Sequence, residues 1–247
     1  MAEIFSMQHK VLYYEADVTD KLSLPMIFNL AVLSSTQESI ALGIGPDYTH
    51  AKGLGWIILQ HVVTINRRPR TDETVTLQTV AKEFNPFFAK RMYRILDADG
   101  NILVDIDALY ALIDMDKRKM ARIPEEMVDA YQPERVKKIP RQSEPVLVDD
   151  SKTIDREQPY AVRYLDIDSN QHVNNSKYFD WMQDVLDTEF VKTHEPIQLN
   201  IKYEQEVRLG DTIKSEVQFD GDTTVHRIWS GETLSAEASI QWTSVTK

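Results

Sequence analysis

Tyr164-Leu165-Asp166-Ile167-Asp168-Ser169-Asn170-Gln171-His172-Val173-Asn174-Asn175-Ser176-Lys177-Tyr178 changes its period halfway. Up to His172, groups able to move protons or bind ions fall at every second position: Asp166, Asp168, Asn170 and His172. In an extended segment residues i, i+2 and i+4 share a side, so Asp168, Asn170 and His172 are expected to face one pocket. Beyond Val173 the apolar residues Tyr178, Trp181, Met182, Val185, Leu186 and Phe190 recur at three- and four-residue steps, one face of a helix. Asn174 and Asn175 stand where its N-cap is expected. The free N–H groups and positive end of that helix would then lie beside His172, which suits a reaction that develops negative charge on a carbonyl oxygen. An extended segment entering a helix through a polar turn is thus the unit to seek elsewhere.

The first half contains it. Val11-Leu12-Tyr13-Tyr14 reads as an apolar strand, and Ser23 caps a helix with Pro25 in its first turn. Gly43 and Gly45 stop that helix. Strands follow at Trp56 to Ile65, Thr74 to Phe84, Phe88 to Leu96 and Ile102 to Met115, with Asp99-Gly100 as a hairpin turn. From 124 to 158 prolines and charges break all periodicity, and ~35 residues is too long for a hairpin. This stretch reads as a linker across the surface between a unit at 1–123 and a second at 159–247.

The second unit repeats the first. Ala16-Asp17-Val18 answers Leu165-Asp166-Ile167 at an offset of 166 − 17 = 149, and Arg70 to Val75 answers Arg208 to Ile213 at an offset of 138. Strand, long helix and antiparallel meander, twice, indicate two copies of one α+β unit. With these offsets Thr19, Lys21 and Ser23 take the places of Asp168, Asn170 and His172, and Arg68 takes that of Glu206. The first copy is then expected to lack the candidate chemistry and to be free to supply a substrate pocket. Asp166, matched by Asp17, is expected to be a shared turn residue.

The run Asp168-x-Asn170-x-His172-Val173-Asn174-Asn175-x-x-Tyr178, opening a helix with a tryptophan, resembles the acyl-acyl carrier protein thioesterases. The resemblance runs almost end to end, and Asp116 to Glu126 resembles the stretch closing that family's first half. It implies a double hotdog, two curled antiparallel sheets each around a helix, and hydrolysis of fatty acyl-carrier-protein thioesters without a cofactor. It implies catalytic roles for Asp168, Asn170, His172 and, from Tyr203-Glu204-Gln205-Glu206-Val207, Glu206. The family's cysteine after that glutamate is Val207 here, and the chain has no cysteine, so a thiol nucleophile is excluded. Asn174 and Asn175, with the N–H groups beside them, are candidates to hold the substrate carbonyl. A hotdog acyl-CoA thioesterase and a non-catalytic acyl sensor are the rival functions.

Composition bounds the rest. The 247 residues, 42% hydrophobic with 8 glycines, allow one large or two small globular units. A net charge of −11 speaks against nucleic acid as a partner. No basic region leads into an apolar run at the start and no stretch approaches a membrane span, so a cytoplasmic protein acting without a membrane is expected, as monomer or homodimer. The Asp166, Asp168, Asn170 spacing matches three positions of a calcium loop, but Gln171 and Lys177 stand where the loop needs Gly and Glu, so no metal site is expected. Trp56, Met26, Phe28 and Met120 are candidates to line an acyl tunnel. Arg67-Arg68-Pro69-Arg70 is either a solvated strand end or a dock for the acidic carrier protein, with Arg68 as the substrate-side candidate. His9, His50, His61, His194 and His226 lack ligand spacing and read as surface or satisfied histidines.

Overall fold

The computed structural model describes residues 2–168 and 172–245. Chain order in the first copy is strand β1 (Phe5–Lys10), helices α1 (Leu24–Ala41) and α2 (Pro46–Ala51), and strands β2 (Leu54–Ile65), β3 (Thr74–Phe84), β4 (Phe88–Leu96) and β5 (Ile102–Asp114). Short β6 (Lys119–Met120), α3 (Glu125–Tyr131) and β7 (Glu134–Arg135) follow. The second copy has β8 (Arg156–Ala161), α4 (Lys177–Asp184), α5 (Thr188–Thr193), β9 (His194–Tyr203), β10 (Thr212–Asp220), β11 (Thr223–Ser230) and β12 (Thr233–Ser244).

The main strands form one continuous sheet in the order β1-β3-β4-β5-β2-β9-β12-β11-β10-β8. Its two halves are images of each other: β1, β3, β4, β5 and β2 correspond to β8, β10, β11, β12 and β9. They meet where β2 pairs antiparallel with β9, Val62 opposite Asn200. Since 200 − 62 = 138, the offset read from the sequence, a pseudo-twofold axis passes through that pair. Each half curls around its own helix, giving a double hotdog.

The helices differ in length. Helix α1 packs Leu24, Ile27, Phe28, Leu30 and Ala31 into the core, and Gly43 takes the left-handed φ of 73° that follows its C-terminus. The matching helix is shorter than its apolar period predicts. α4 ends at Asp184, and a new helix starts beyond Asp187, whose side chain accepts from the Glu189 N–H. Its N-cap is Ser176, not Asn174 or Asn175; Asn174 instead accepts the Ser176 N–H through its side chain at 2.9 Å. Phe28 and Phe179 stack with centroids 3.9 Å apart, so the two helices meet across the copies.

The connection between the copies starts as structure. α3 buries Met127 and Val128 against Ile44, Phe84, Leu112 and Ile123, a small second core closing one end of the first copy. The chain then crosses the sheet. Gln142 reaches the Asp107 carbonyl in the first copy, the Ser143 carbonyl accepts from Gln60 and Asn200 beside the pseudo-axis, and Val146 N–H reaches Ser239 in the second copy.

The repeat register needs one correction. Ala16 bridges Leu22 and Ile167 bridges Val173, and the Asp17 N–H donates to the Lys21 carbonyl as the Asp168 N–H does to that of His172. The offset here is 167 − 16 = 151, so Asp168 corresponds to Asp17, position 170 to Thr19 and His172 to Lys21. Glu15 and Asp166 are the shared turn carboxylates, each accepting the N–H three residues back. The 138 offset holds for the segments leading into β3 and β10, because Leu22 N–H donates to the Pro69 carbonyl as Val173 N–H does to Val207. The first copy therefore keeps the aspartate, and sequence matching alone misplaced it by two residues.

Candidate active site

A cavity of about 510 Å³ opens between the copies, within the usual range for small-molecule sites. Most of its wall is first-copy: Phe28, Asn29, Val32 and Leu33 of α1, Trp56 and Ile58 of β2, and Phe84, Met127 and Tyr131 farther in. The second copy contributes Asp168, His172, Asn174, Asn175 and Ser176. An apolar chamber from one copy thus meets the polar turn and helix start of the other.

Within that turn His172 is 8% exposed, with Nδ1 3.7 Å from Asp168 Oδ1 and 3.4 Å from the Val173 carbonyl oxygen. The first distance is that of an ion pair rather than a hydrogen bond. At that distance Asp168 is placed to orient the imidazole ring. Ser176 is buried at the N-cap of α4, and the positive end of that helix faces the same space. Tyr203, on the neighbouring strand, donates its hydroxyl to the Asn175 carbonyl at 3.4 Å.

The remaining sequence-derived candidates fall in different places. Asn170 lies outside the described residues. Glu206 lies not on a strand but between β9 and β10, one residue from Val207, whose carbonyl accepts the Val173 N–H of the turn. Its carboxylate pairs with Arg118, from the turn after β5, and the residue does not line the cavity. Trp56 and Phe28 line the cavity as expected of tunnel residues, whereas Met26 packs on the core and Met120 is 53% exposed, both away from the wall. Arg68 is neither lining nor docking surface. Its side chain is 2% exposed and donates to Glu195 at 2.8 and 3.0 Å and to Asp17, with Lys21 on Glu195 at 2.7 Å. Burial opposes ionisation of Asp17 and Glu195, but Arg68, with Thr19 at Asp17 and Lys21 at Glu195, outweighs it and holds both carboxyls below their usual range. Four charged side chains, Asp17, Lys21, Arg68 and Glu195, thus fill in the first copy the place that opens on the cavity in the second. Among the described residues, no three or more His, Asp or Glu side chains are grouped as metal ligands.

The farther wall is more polar than apolar periodicity suggested. Glu38 and Arg91 form a buried ion pair, and Arg91 also donates to Thr79 at 2.9 Å. The Tyr93 and Tyr110 hydroxyls lie 2.5 Å apart, and Tyr93 donates to Ser35 at 3.3 Å. Burial, then the neighbouring Tyr93, pushes the Tyr110 hydroxyl well above the usual tyrosine range, so it acts as a neutral group. His50 and His61, set aside as ordinary histidines, both line the cavity. The sequence carried no local signal for them, since His50 lies in the last turn of the short helix α2 and His61 follows a strand irregularity.

Comparison with known proteins matches residues 2–131 to the N-terminal domain of acyl-ACP thioesterases and residues 149–244 to the C-terminal domain. A chloroplastic acyl-acyl-carrier-protein hydrolase of Cuphea viscosissima is 26% identical over 242 residues, covering 90% of this chain and 58% of that protein. The chain spans just over half the length of the plant relatives it matches. A crystal structure assigned as an oleoyl thioesterase from Lactobacillus plantarum is 36% identical, with a TM-score of 0.95, covering 100% of this chain and 98% of that one. The 12:0-ACP thioesterase from Umbellularia californica shares the fold at 20% identity and TM-score 0.85, covering 98% of each chain. No described helix is long and apolar enough to cross a membrane.

Proposed function

This chain belongs to the acyl-ACP thioesterase family, and we propose that it hydrolyses fatty acyl-acyl carrier protein to free fatty acid and carrier protein in fatty acid biosynthesis. The observation that supports this most is the meeting of Asp168 and His172 with an apolar cavity built by the other copy. The acyl chain lies along α1 and β2, and its thioester carbonyl lies at the turn.

His172 takes a proton from water as the oxygen attacks the carbonyl carbon, and Asp168 orients the ring and stabilises its charge. Negative charge builds on the carbonyl oxygen, where the start of α4 at Asn174 to Ser176 stabilises it. The carbon–sulfur bond then breaks, and the imidazolium returns its proton to the departing thiolate. Glu206 supports the turn from the segment between β9 and β10 while its carboxylate neutralises Arg118. The chemistry uses no cofactor. Absence of cysteine fits a reducing compartment, and we place the enzyme in the cytoplasm.

The test is release of free fatty acid from a panel of acyl-carrier proteins by the wild type and by His172→Ala. Hydrolysis that depends on His172 supports the reading. A kcat/KM higher on acyl-CoA than on the same acyl chain carried by carrier protein would make it an acyl-CoA thioesterase. No turnover of either would leave an acyl-binding protein.

A further inference from the structure

Along β2 the side chains of Trp56 and Ile58 line the cavity, with Gly55 at its edge, so strict alternation from Trp56 and Ile58 would bring Gln60 inward next. It does not, because Leu59 is skipped in the pairing with β5: Ile58 opposes Tyr110 and Gln60 opposes Leu109. This bulge turns Gln60 to the outer face, where it bonds Ser143 and Asn200, and brings His61 onto the cavity wall. His61 is 2% exposed, and its Nδ1 has no hydrogen-bond partner. Buried polar atoms are normally paired, so an unmet imidazole nitrogen in a ligand cavity calls for a partner the protein does not supply.

The other copy shows that the fold has no need of a histidine there. β9 carries the same bulge at Ile197, between Pro196 and Gln198 in its pairing with β12, and 197 − 59 = 138. The counterpart of His61 is then Leu199, buried at 1% exposure in the main core. An aliphatic side chain fills this position in one copy, and an imidazole fills it in the copy that holds the cavity.

Its location narrows what the partner is. The ring of His61 lies 5.0 Å from that of Phe28, which stacks on Phe179 of α4, and 5.9 Å from that of Tyr203. Tyr203 bonds the Asn175 carbonyl, so His61 stands one ring away from the start of α4. That is the thioester end of the chamber, not its far end. Burial lowers the His61 pKa to about 3, which leaves the ring neutral, with one nitrogen to donate and one to accept.

Resting on the thioesterase reading, we propose that His61 is a specificity-determining residue that hydrogen-bonds an oxygen substituent near the thioester, so that acyl chains bearing a hydroxyl or oxo group at C3 are preferred substrates. A C3 hydroxyl donates to the free ring nitrogen or accepts from the ring N–H, and an oxo group accepts. A saturated chain leaves the nitrogen unmet.

The experiment compares wild type, His61→Phe and His61→Gln on unsubstituted, 3-hydroxyacyl and 3-oxoacyl carrier proteins, at the chain length the wild type turns over fastest. Binding of the matching free fatty acid and 3-hydroxy fatty acid is measured in parallel by calorimetry. The wild type is expected to favour at least one oxygenated substrate in kcat/KM. His61→Phe should lower that preference about tenfold or more while retaining turnover of the unsubstituted chain, and His61→Gln should restore part of it. An equal ratio of oxygenated to unsubstituted kcat/KM in wild type and His61→Phe overturns the proposal, as does a wild type without any preference. Should no thioester be hydrolysed, the thioesterase reading fails by itself. The binding ratio of the two free acids, lost in His61→Phe or unchanged, then decides the role of His61.

Discussion

Asp17 and Asp168 stand at the same point of the two copies, each N–H bonded to the carbonyl four residues on. Asp17 faces Arg68, which also holds Glu195 from the other copy. Asp168 faces His172 at the edge of a cavity. Glu195 reaches the first turn from β9. Its counterpart on β2, by 195 − 138 = 57, is Ile57, which has no charge to offer the second turn. One turn is closed by ion pairs that join the copies, and the other is left open to a substrate. The duplication thus separates two demands that a single site cannot meet together. Charges satisfied by one another stabilise the fold, and charges left to a ligand can do chemistry.

The largest effect expected of any substitution separates the turns directly. His172→Ala should lower kcat by about 10²- to 10⁴-fold, the scale of a positioned acid or base. Lys21→Ala, at the matching position, should leave kcat on a short soluble thioester unchanged. Steady-state kinetics check both, and equal losses would show that the two turns share the chemistry.

Arg68→Met reverses the pattern. Removing one partner from a buried ion network is expected to cost about 3–5 kcal/mol of stability. Turnover of the soluble thioester at a temperature where the protein stays folded should be unaffected. Denaturant unfolding measures the first quantity. A loss below 1 kcal/mol would mean that the network is not what ties the copies together.

Glu206→Gln should fall between these. Its carboxylate is paired with Arg118 outside the cavity, so the loss in kcat should be smaller than for His172→Ala and matched by Arg118→Gln. A loss as large as that of His172→Ala would bring Glu206 into the chemistry.

The smallest effect is in pH. Asp17 and Glu195 have folded pKa values below their unfolded values of roughly 4. Their stabilisation is present above that pH and is lost as pH falls through the folded values. His61 and His226, held near pKa 3 by burial, take up protons in the unfolded chain below about 6.5, which destabilises wild type and Arg68→Met alike. The Tm gap between the two proteins should therefore be constant from pH 7 to about 5 and narrow toward pH 3. A gap independent of pH would show that the network's carboxylates do not carry its stability.

Much of the frame was legible because it rests on local periodicity. β3 and β4 run from Thr74 to Phe84 and from Phe88 to Leu96, the ranges read from the sequence. The 138 offset read from Arg70 and Arg208 also relates Val62 to Asn200, the strand pair on which the pseudo-axis lies. Asp168 and His172, picked out by alternate spacing, do line one cavity. The α4 break, by contrast, depends on a cap at Asp187 inside a continuous apolar period. α3 was hidden because its few apolar residues lie among prolines and charges.

By itself the sequence determined two copies of an α+β unit, the later strands of the first copy and the polar turn at Asp168 and His172, because periods of two and of 3.6 residues are written within a few neighbouring side chains; it placed the first strand at Val11 to Tyr14, whereas the structure puts it at Phe5–Lys10. Only the tertiary structure decided that Arg68 is buried against a carboxylate 127 residues away, and that His61 rather than Gln60 faces inward. The reason is physical. Partners in an ion pair and the skipped residue of a bulge are set by strands that meet across the sheet, and a one-residue change in that register exchanges the inner and outer faces.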